Sequence, residues 1–434
     1  MLGKHLYGLV SAPAAYHKDF DKFLTSCMIR PDASDTCLYH SSNPRYPDLQ
    51  IIEYVDDLIL KASPMSIRNF KDDLQARYEI RDYGDPRTFL GMEVTRDRAA
   101  RTLCLTQRAY IQQLARTYQL TESHPIDSPM VTALDQQVDN GDLLPNPSEY
   151  RQIVGSLMYC HSATRFDITH SVSQLSRKLA KPTHTDMKAA RRVVQYLYHT
   201  QDIGPSYDGN APLNLVGYSD ADYAGDIATR RSTSGRVFMF MGGPVSWASK
   251  QQRTVATSTA EAEYVAVAQA AAECLWLRKV VSAVARLDSL PTTTIFEDNA
   301  AALKWCHNPV NHSKQKHIHV AFHFIREQIT DFQNLNVVAV PTEHQWADLF
   351  TKSLPAPRFR FLVDSIRGLN PAPLTRGPGS KLTEHCAKAL TTAARKVGDV
   401  FKKRQATSAA NIFFKDHFEE SDPVHSTAQA PAAA

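Results

Sequence analysis

Three aspartates stand at or just after the ends of apolar runs in the second half of the sequence. Asp220 closes "LVGYSD", Asp298 closes "TTTIFED", and Asp348 follows "NVVAVP" by a few residues. If these runs are strands of one α/β sheet, their ends converge on one edge, where open sheets place ligand sites. Glu263 adds a fourth carboxylate from a helical stretch, in line with Val267, Ala270 and Cys274 on a small, apolar stripe. Its neighbour Glu261 has a structural role, because Ser258-x-x-Glu261 is a capping box. Glu263 has none, and burying it unpaired is costly, so a cation or a donor is expected beside it. Four carboxylates at one sheet edge repel one another unless divalent cations neutralise them, and oxygen-only ligation suits Mg²⁺ or Mn²⁺. Two such ions about 4 Å apart stabilise the attacking and leaving oxygens of phosphodiester cleavage. Taken singly, each acid also reads as a solvated strand end or a helix cap. A second candidate lies upstream: Asp56 and Asp57, adjacent in "IIEYVDDLIL", have the form of a metal site for polymerising nucleic acid.

The elements that must position these acids follow from periodicity. Residues 1 to about 100 read as α+β: "PAAYHKDFDKFLTSC" is helical, "TCLYHS" and "LQIIEYVDDLILKAS" are strand-like, and "SIRNFKDDLQARYEI" is a helix starting at Ser66. "RTFLGMEVTRD" and "RTLCLTQ" form a hairpin, a helix runs from Gln107 to about Leu120, and a Pro- and Asp-rich linker leads to an all-helical stretch over 148–200. "LNLVGYSDADYAG" is then a strand, "RVFMFMGGPVSWASKQQ" is two strands about a Gly-Gly turn, and a long helix spans about 258–286. The strand "TTTIFED", a short helix, the helix "HIHVAFHFIREQI" and the strand "NVVAVP" complete a mixed α/β sheet.

At 434 residues the chain needs more than one domain, and 43% hydrophobic with 22% charged residues describes a soluble globular protein. Basic and acidic residues nearly balance, 49 against 45, so bulk charge does not choose a partner; only the zone from Arg358 to Arg404 is basic. Seven dispersed cysteines without a C-x-x-C pair fit reduced thiols in an intracellular protein, cytoplasmic or nuclear, better than a disulfide framework or a zinc ribbon. The N-terminus has no long apolar core of a signal peptide. The most apolar window carries Glu263, Glu273, Arg278 and Lys279, so it reads as a buried helix and no membrane association is expected.

The motifs "GYSDADYAGD", "RSTSGRVFMF", "VSWASKQQ", "VATSTAEAEYVAVAQAAAE", "FEDNAAA", "KHIHVAFHFIRE" and "WADLFTKSL" occur in one order over about residues 213–355. They resemble the RNase H domain of copia-type long-terminal-repeat retrotransposon Pol polyproteins. Upstream, "LYGLVSAPAAY", "YVDDLIL" and "FLGMEV" resemble the reverse transcriptase of the same polyproteins. The resemblance implies a multidomain α/β and α+β chain: the C-terminal part of a reverse transcriptase (partial palm and thumb) over 1–135, a helical connection over 136–205 and an RNase H-like mixed-sheet domain over 206–355. The family motifs do not extend further, and the shift in composition after Pro355 marks a basic, partly disordered tail over 356–434. The resemblance also implies that Asp220, Glu263, Asp298 and Asp348 are the metal-binding acids of RNase H, since Glu263-Tyr-Val-Ala fits the family's E-x-x-A element. Asp222 is the fallback for the first acid. The implied cofactor is Mg²⁺ or Mn²⁺, and the implied partner is an RNA–DNA hybrid or other nucleic acid, with association with other Pol-derived chains also open.

In the same family Asp56 and Asp57 bind polymerase metals at the turn of a palm hairpin. A third aspartate comes from an earlier motif of the type D-V-x-x-A-F-L. That motif belongs ahead of "LYGL", where this sequence begins, so polymerase activity is not expected from this chain alone. Val10, Ser11 and Ala14 replace Lys, Gln and Arg of the usual "LYGLKQAPRAW", and His319 replaces the acid of the usual "KHID". These departures leave a second reading, a non-catalytic remnant that at most binds nucleic acid.

Other features carry competing readings. His312, His317, His319 and His323 near Cys306 make a zinc site conceivable, although no H-E-x-x-H is present. His344 reads as an exposed loop histidine. Trp247 reads as packing, or, with Lys250 and Arg253, as a stacking and phosphate-contact patch. A basic amphipathic helix is expected over 381–404, most simply a solvated one.

Overall fold

The computed structural model describes residues 12–131, 141–307, 316–369 and 408–414. Its backbone divides into two compact units, one running up to Pro86 and including the strand Ser408–Phe414, the other running from Arg87 onward. The expected basic helix at 381–404 lies outside the described residues.

In the first unit, helix α1 (Ala12–Ser26) precedes strands β1 (Ile29–Pro31), β2 (Leu38–Ser41), β3 (Gln50–Tyr54) and β4 (Asp57–Ala62), then helix α2 (Pro64–Gln75) and strand β5 (Ile80–Gly84). The first four strands form a sequential antiparallel ladder. Ser408–Phe414 lies antiparallel between β4 and β5. Alternation along β3 and β4 turns Ile51, Leu58 and Leu60 toward Phe20 and Leu24 of α1 and Phe70 and Leu74 of α2. Helix α2 starts earlier than the sequence suggests. Ser63 is its N-cap residue and Pro64 its first helical position, where proline's fixed φ and missing N–H cost nothing. Ser66 instead sits inside the helix, buried, with its hydroxyl on Asp48.

The second unit opens with strands β6 (Thr88–Phe89), β7 (Met92–Asp97) and β8 (Thr102–Thr106), followed by helices α3 (Arg108–Thr117), α4 (Ser148–Ala163), α5 (Thr169–Ser176) and α6 (His184–His199). Strand β9 (Ser206–Asp208) returns to pair with β8. Helix α6 is fixed at its start by a full capping box between Thr183 and Asp186.

Strands β10 (Val216–Asp222), β11 (Thr233–Phe240) and β12 (Gly243–Gln251), helix α7 (Thr259–Ala285), strand β13 (Thr293–Glu297), helices α8 (Ala300–His307) and α9 (Lys316–Thr330) and strand β14 (Leu335–Ala339) then build the mixed sheet. Its order is β12-β11-β10-β13-β14, antiparallel on one side of β10 and parallel on the other. One face packs on α7 through Val267, Ala270, Ala271 and Cys274 against Phe238, Ile295 and Val337. The small residues of that stripe let helix and sheet approach closely. The other face (Tyr218, Val237, Phe296) shares a single core with Ile153, Leu157, Val193 and Leu197 of the helical stretch.

Helix α10 (Ala356–Ile366) enters the same core through Phe359, Leu362, Val363 and Ile366. These residues belong to the stretch that composition places in the tail. Those four residues recur at helical spacing on one apolar face, and the charge of their neighbours hides this from a composition-based boundary.

Beneath α4, α5 and α6, Arg165 and Asp167 form a fully buried two-pronged ion pair at 2.9 and 2.7 Å. Tyr196 donates to the same carboxylate at 2.7 Å, and Arg165 reaches the Thr200 hydroxyl at 2.7 Å. Asp167→Ala would strand the guanidinium in the core. Urea denaturation is expected to show a loss of about 3–5 kcal/mol, the usual result of removing one partner of a buried pair; a loss below about 1 kcal/mol, the size of an exposed pair, would contradict this account.

Candidate metal centre

Asp220 lies two residues before the end of β10, paired in register with Gly235 of β11. The glycine is required. A Cβ there would sit 2.6 Å from the Thr351 methyl and 2.8 Å from the Ala347 carbonyl. Its absence lets the segment 342–351 press onto the sheet edge. Gln345 donates to the Ser219 carbonyl at 2.9 Å, and the Thr351 hydroxyl donates to Asp220 at 2.6 Å. Tyr218 stacks on Trp346 directly behind, with ring centroids 4.6 Å apart.

Glu263 projects from the first turns of α7, among Ala221, Ala262 and Ala266. Asp298 follows β13 immediately and accepts from the Thr342 hydroxyl at 2.8 Å. Asp220, Glu263 and Asp298 each offer a carboxylate oxygen within 4.8 Å of the other two, the geometry of a cation site. One Glu263 oxygen is buried without a hydrogen-bond partner among the described residues.

Asp348 does not join that group. It is 4% exposed and already neutralised, with Lys352 at 2.6 Å and Arg358 at 3.0 Å. Asp222 also stays outside the group, its carboxylate against Gly225. Glu261 caps the helix start, accepting from the Thr257 N–H at 2.8 Å and hydroxyl at 2.5 Å, while Ser258 accepts from the Glu261 N–H.

The sequence reading missed Glu297. It is fully buried; one oxygen accepts from the Asn299 N–H at 3.0 Å, and the other has no partner among the described residues. Strand alternation could have found it: Ile295 faces α7, so Glu297, two residues on, faces the same side as Glu263.

The electrostatics follow from this crowding. Burial raises Asp220 from 3.8 to about 7, with Lys352 and the Thr351 hydrogen bond lowering it and Asp348 and Asp298 raising it. Burial, then Glu297, Asp220 and Asp298, push Glu263 up to about 11. Burial holds Glu297 well above its ordinary value too. Without a cation, burial and crowding favour the protonated forms of Asp220, Glu263 and Glu297; a divalent cation would favour the ionised ones. Oxygen donors alone, three of them convergent and one orphaned, fit a hard cation such as Mg²⁺ or Mn²⁺.

Asp56 and Asp57 sit at the two-residue turn joining β3 to β4, with Tyr54 paired to Asp57. Val55 holds a φ of 58°, strained for a β-branched residue. Burial and then Asp56 raise Asp57 to about 6. Among the described residues no third acid, histidine or cysteine completes a cation site there.

The remaining readings sort as follows. The Trp247 indole donates to the His161 carbonyl at 2.8 Å and meets Phe166 edge-on, so it packs against the helical stretch. His344 is half-buried beside Phe361, not exposed, because α10 covers it. The side chains of His312, His317 and His319 lie outside the described residues.

The family model matching the chain is that of reverse transcriptase (RNA-dependent DNA polymerase), over residues 1–132. The retrovirus-related Pol polyprotein from transposon TNT 1-94 of Nicotiana tabacum is 33% identical over 374 residues, 84% of this chain and 28% of that protein. The corresponding polyprotein from transposon RE2 of Arabidopsis thaliana is 37% identical over 361 residues, 83% of this chain and 24% of its own length. The chain thus spans about a quarter of the length of these relatives. Among solved structures, LC11-RNase H1 isolated from compost is similar over 32% of this chain and 93% of its own, at 18% identity and a TM-score of 0.25.

In cation-free protein, Asp220 has a higher pKa folded than unfolded, so the stability it contributes is full below its ordinary 3.8 and is lost as pH rises through about 7. Glu263 continues the decline toward about 11. Thermal unfolding with chelator is expected to shift to lower temperature across this window, less so in Asp220→Asn, and excess Mg²⁺ should reverse the shift. A flat profile, or one unchanged in Asp220→Asn, would refute the assignment.

Proposed function

This chain belongs to the copia-type retrotransposon Pol polyprotein family, and from that membership we propose that it hydrolyses RNA in RNA–DNA hybrids, RNase H-fashion, at Asp220, Glu263 and Asp298. The observation that carries the reading is the convergence of these three acids within 4.8 Å, one of them with an orphaned buried oxygen. When bound, a divalent cation would supply water activation and charge stabilisation at the leaving 3′-oxygen. The protein's own part is positional: the strand ends fix Asp220 and Asp298, α7 brings Glu263 from the side, and Thr351 and Thr342 orient two of the carboxylates. We assign residues 1–135 to the rear of a reverse-transcriptase palm and thumb, 136–205 to a connection, and 206–355 to the RNase H-like domain.

A nucleic-acid partner suits the surface around the centre. Arg230 and Arg231, in the loop after β10, and Lys250 and Arg253, at the end of β12, are exposed. The hydrogen bond from Gln252 N to Ser232 O brings the two segments together. Such a rim fits phosphates and makes binding salt-dependent. Among the described residues no helix is long and apolar enough to cross a membrane. Polymerisation by this chain alone is not proposed, since among the described residues no third acid joins Asp56 and Asp57. A second reading, binding without cleavage, draws on Asp348, which is already neutralised by Lys352 and Arg358.

Incubating the purified chain with an end-labelled hybrid and Mg²⁺ or Mn²⁺ separates the two. Cleavage confined to the RNA strand is expected. Asp298→Asn and Glu263→Gln should each lower the rate by more than the roughly 100-fold seen when outer-shell partners are removed. No cleavage with either metal, or cleavage unchanged in these variants, would sink the enzymatic reading.

A further inference from the structure

The acids at the sheet edge fall into two electrostatic classes. Asp220, Glu263 and Asp298 crowd together, with Glu297 buried alongside and orphaned at one oxygen. Asp348 has two cations: Lys352 at 2.6 Å and Arg358 at 3.0 Å. One carboxylate against an ammonium and a guanidinium leaves that side of the centre with an excess positive charge. Arg358 is also anchored elsewhere, donating to the Glu343 and Thr342 carbonyls at 2.5 and 2.8 Å, so it cannot leave easily. Among the described residues Lys352 has no comparable anchor, and it keeps 43% of its side chain exposed.

The position of Lys352 is determined by the fold. Its neighbour Thr351 is fully buried and donates to Asp220, and Gly235 is the gap that admits Thr351 to the sheet. The short helical segment Trp346–Phe350 then places Asp348 and Lys352 one turn apart. The ammonium therefore pairs with Asp348, and through Thr351, bonded to Asp220, it is held close enough for its charge to favour the ionised Asp220 as well. A second divalent ion between these two aspartates would have to displace Lys352 or sit against it.

We propose that the Lys352 ammonium stands in for a second divalent cation between Asp220 and Asp348, so that the resting centre takes one divalent ion, on Asp220, Glu263 and Asp298. The proposal rests on the cation-binding reading above and departs, for the substrate-free state, from the two ions that the four-acid pattern of the sequence suggests. Lys352 is then a positioning residue: it holds Asp348, sets the cation affinity of the centre, and stays free to swing toward a phosphate.

Titration calorimetry with Mn²⁺ alone, on the full chain, tests this without reference to turnover. Wild type should bind one ion at the centre, and Lys352→Arg should match it. Lys352→Met should take a second ion, or bind the first at least about tenfold more tightly, as removing a unit charge at this range in a medium of effective dielectric near 20 requires. A merely structural role would loosen binding, not tighten it. Asp298→Asn is the control that should abolish the event. If Asp298→Asn abolishes binding but Lys352→Met binds as wild type does, or more weakly, or if wild type already takes two ions, the Lys352 proposal alone is overturned. If Asp298→Asn binds as wild type does, the centre itself is wrong and both readings fall.

Discussion

Like charges held in a dry space are the constraint on which this sheet edge depends. Asp220, Glu263 and Glu297 are each at most 4% exposed and have few donors between them. An ionised carboxylate without a partner at such depth costs several kcal/mol, so the surrounding structure must hold them together against repulsion. The parallel pairing of β10 with β13 fixes the two strand ends side by side. The small-residue stripe of α7 brings Glu263 close to them. On the opposite face Tyr218, Phe296, Trp346 and Phe350 tie the same strand ends to the helical core. At about 1.5–3 kcal/mol for each such side chain, that core outweighs the strain of one or two bare carboxylates. The protons retained by Asp220 and Glu263 reduce the remainder.

The same balance explains why the 342–351 segment is built as it is. It supplies no catalytic-type acid to the three-carboxylate group. It supplies hydrogen-bond donors and a positive charge: Thr342 to Asp298, Thr351 to Asp220, Gln345 to the strand backbone, and Lys352 beside Asp348. A segment of this kind tunes a cluster of acids more than it extends it. Its seat depends on the missing side chain of Gly235, a distant position in the sequence.

How much of this was legible before the structure depends on the range of the interaction. Asp220, Asp298 and Glu263 could be read because strand ends and a helical stripe are local patterns, and the structure brings those three together. The separate state of Asp348 could not be read that way, because Arg358 reaches it from a helix that composition assigned to the tail. Glu297 was within reach of strand alternation but was overshadowed by Asp298 beside it. The helix start at Ser63 was missed because a serine at 66 looks as good a cap as one at 63, and only Pro64 distinguishes them. Trp247 was ambiguous for another reason: its partner carbonyl, on His161, lies in a separate helix.

The upstream pair of aspartates shows what such a scaffold adds. Asp56 and Asp57 share a turn and a like charge, and Asp57 is raised for the same two reasons that act on Asp220, burial and a neighbouring carboxylate. Their turn is strained at Val55 and flanked by exposed Tyr54. Adjacent acids on a hairpin tip can share a cation only if a further oxygen closes the coordination shell, and none of the described acids does so. At the other site three elements each contribute one acid and a fourth supplies the donors. Two sites with the same residue chemistry thus differ in preorganisation. A short sequence motif specifies which acids are present, whereas a coordination shell requires several segments to be held in register at once.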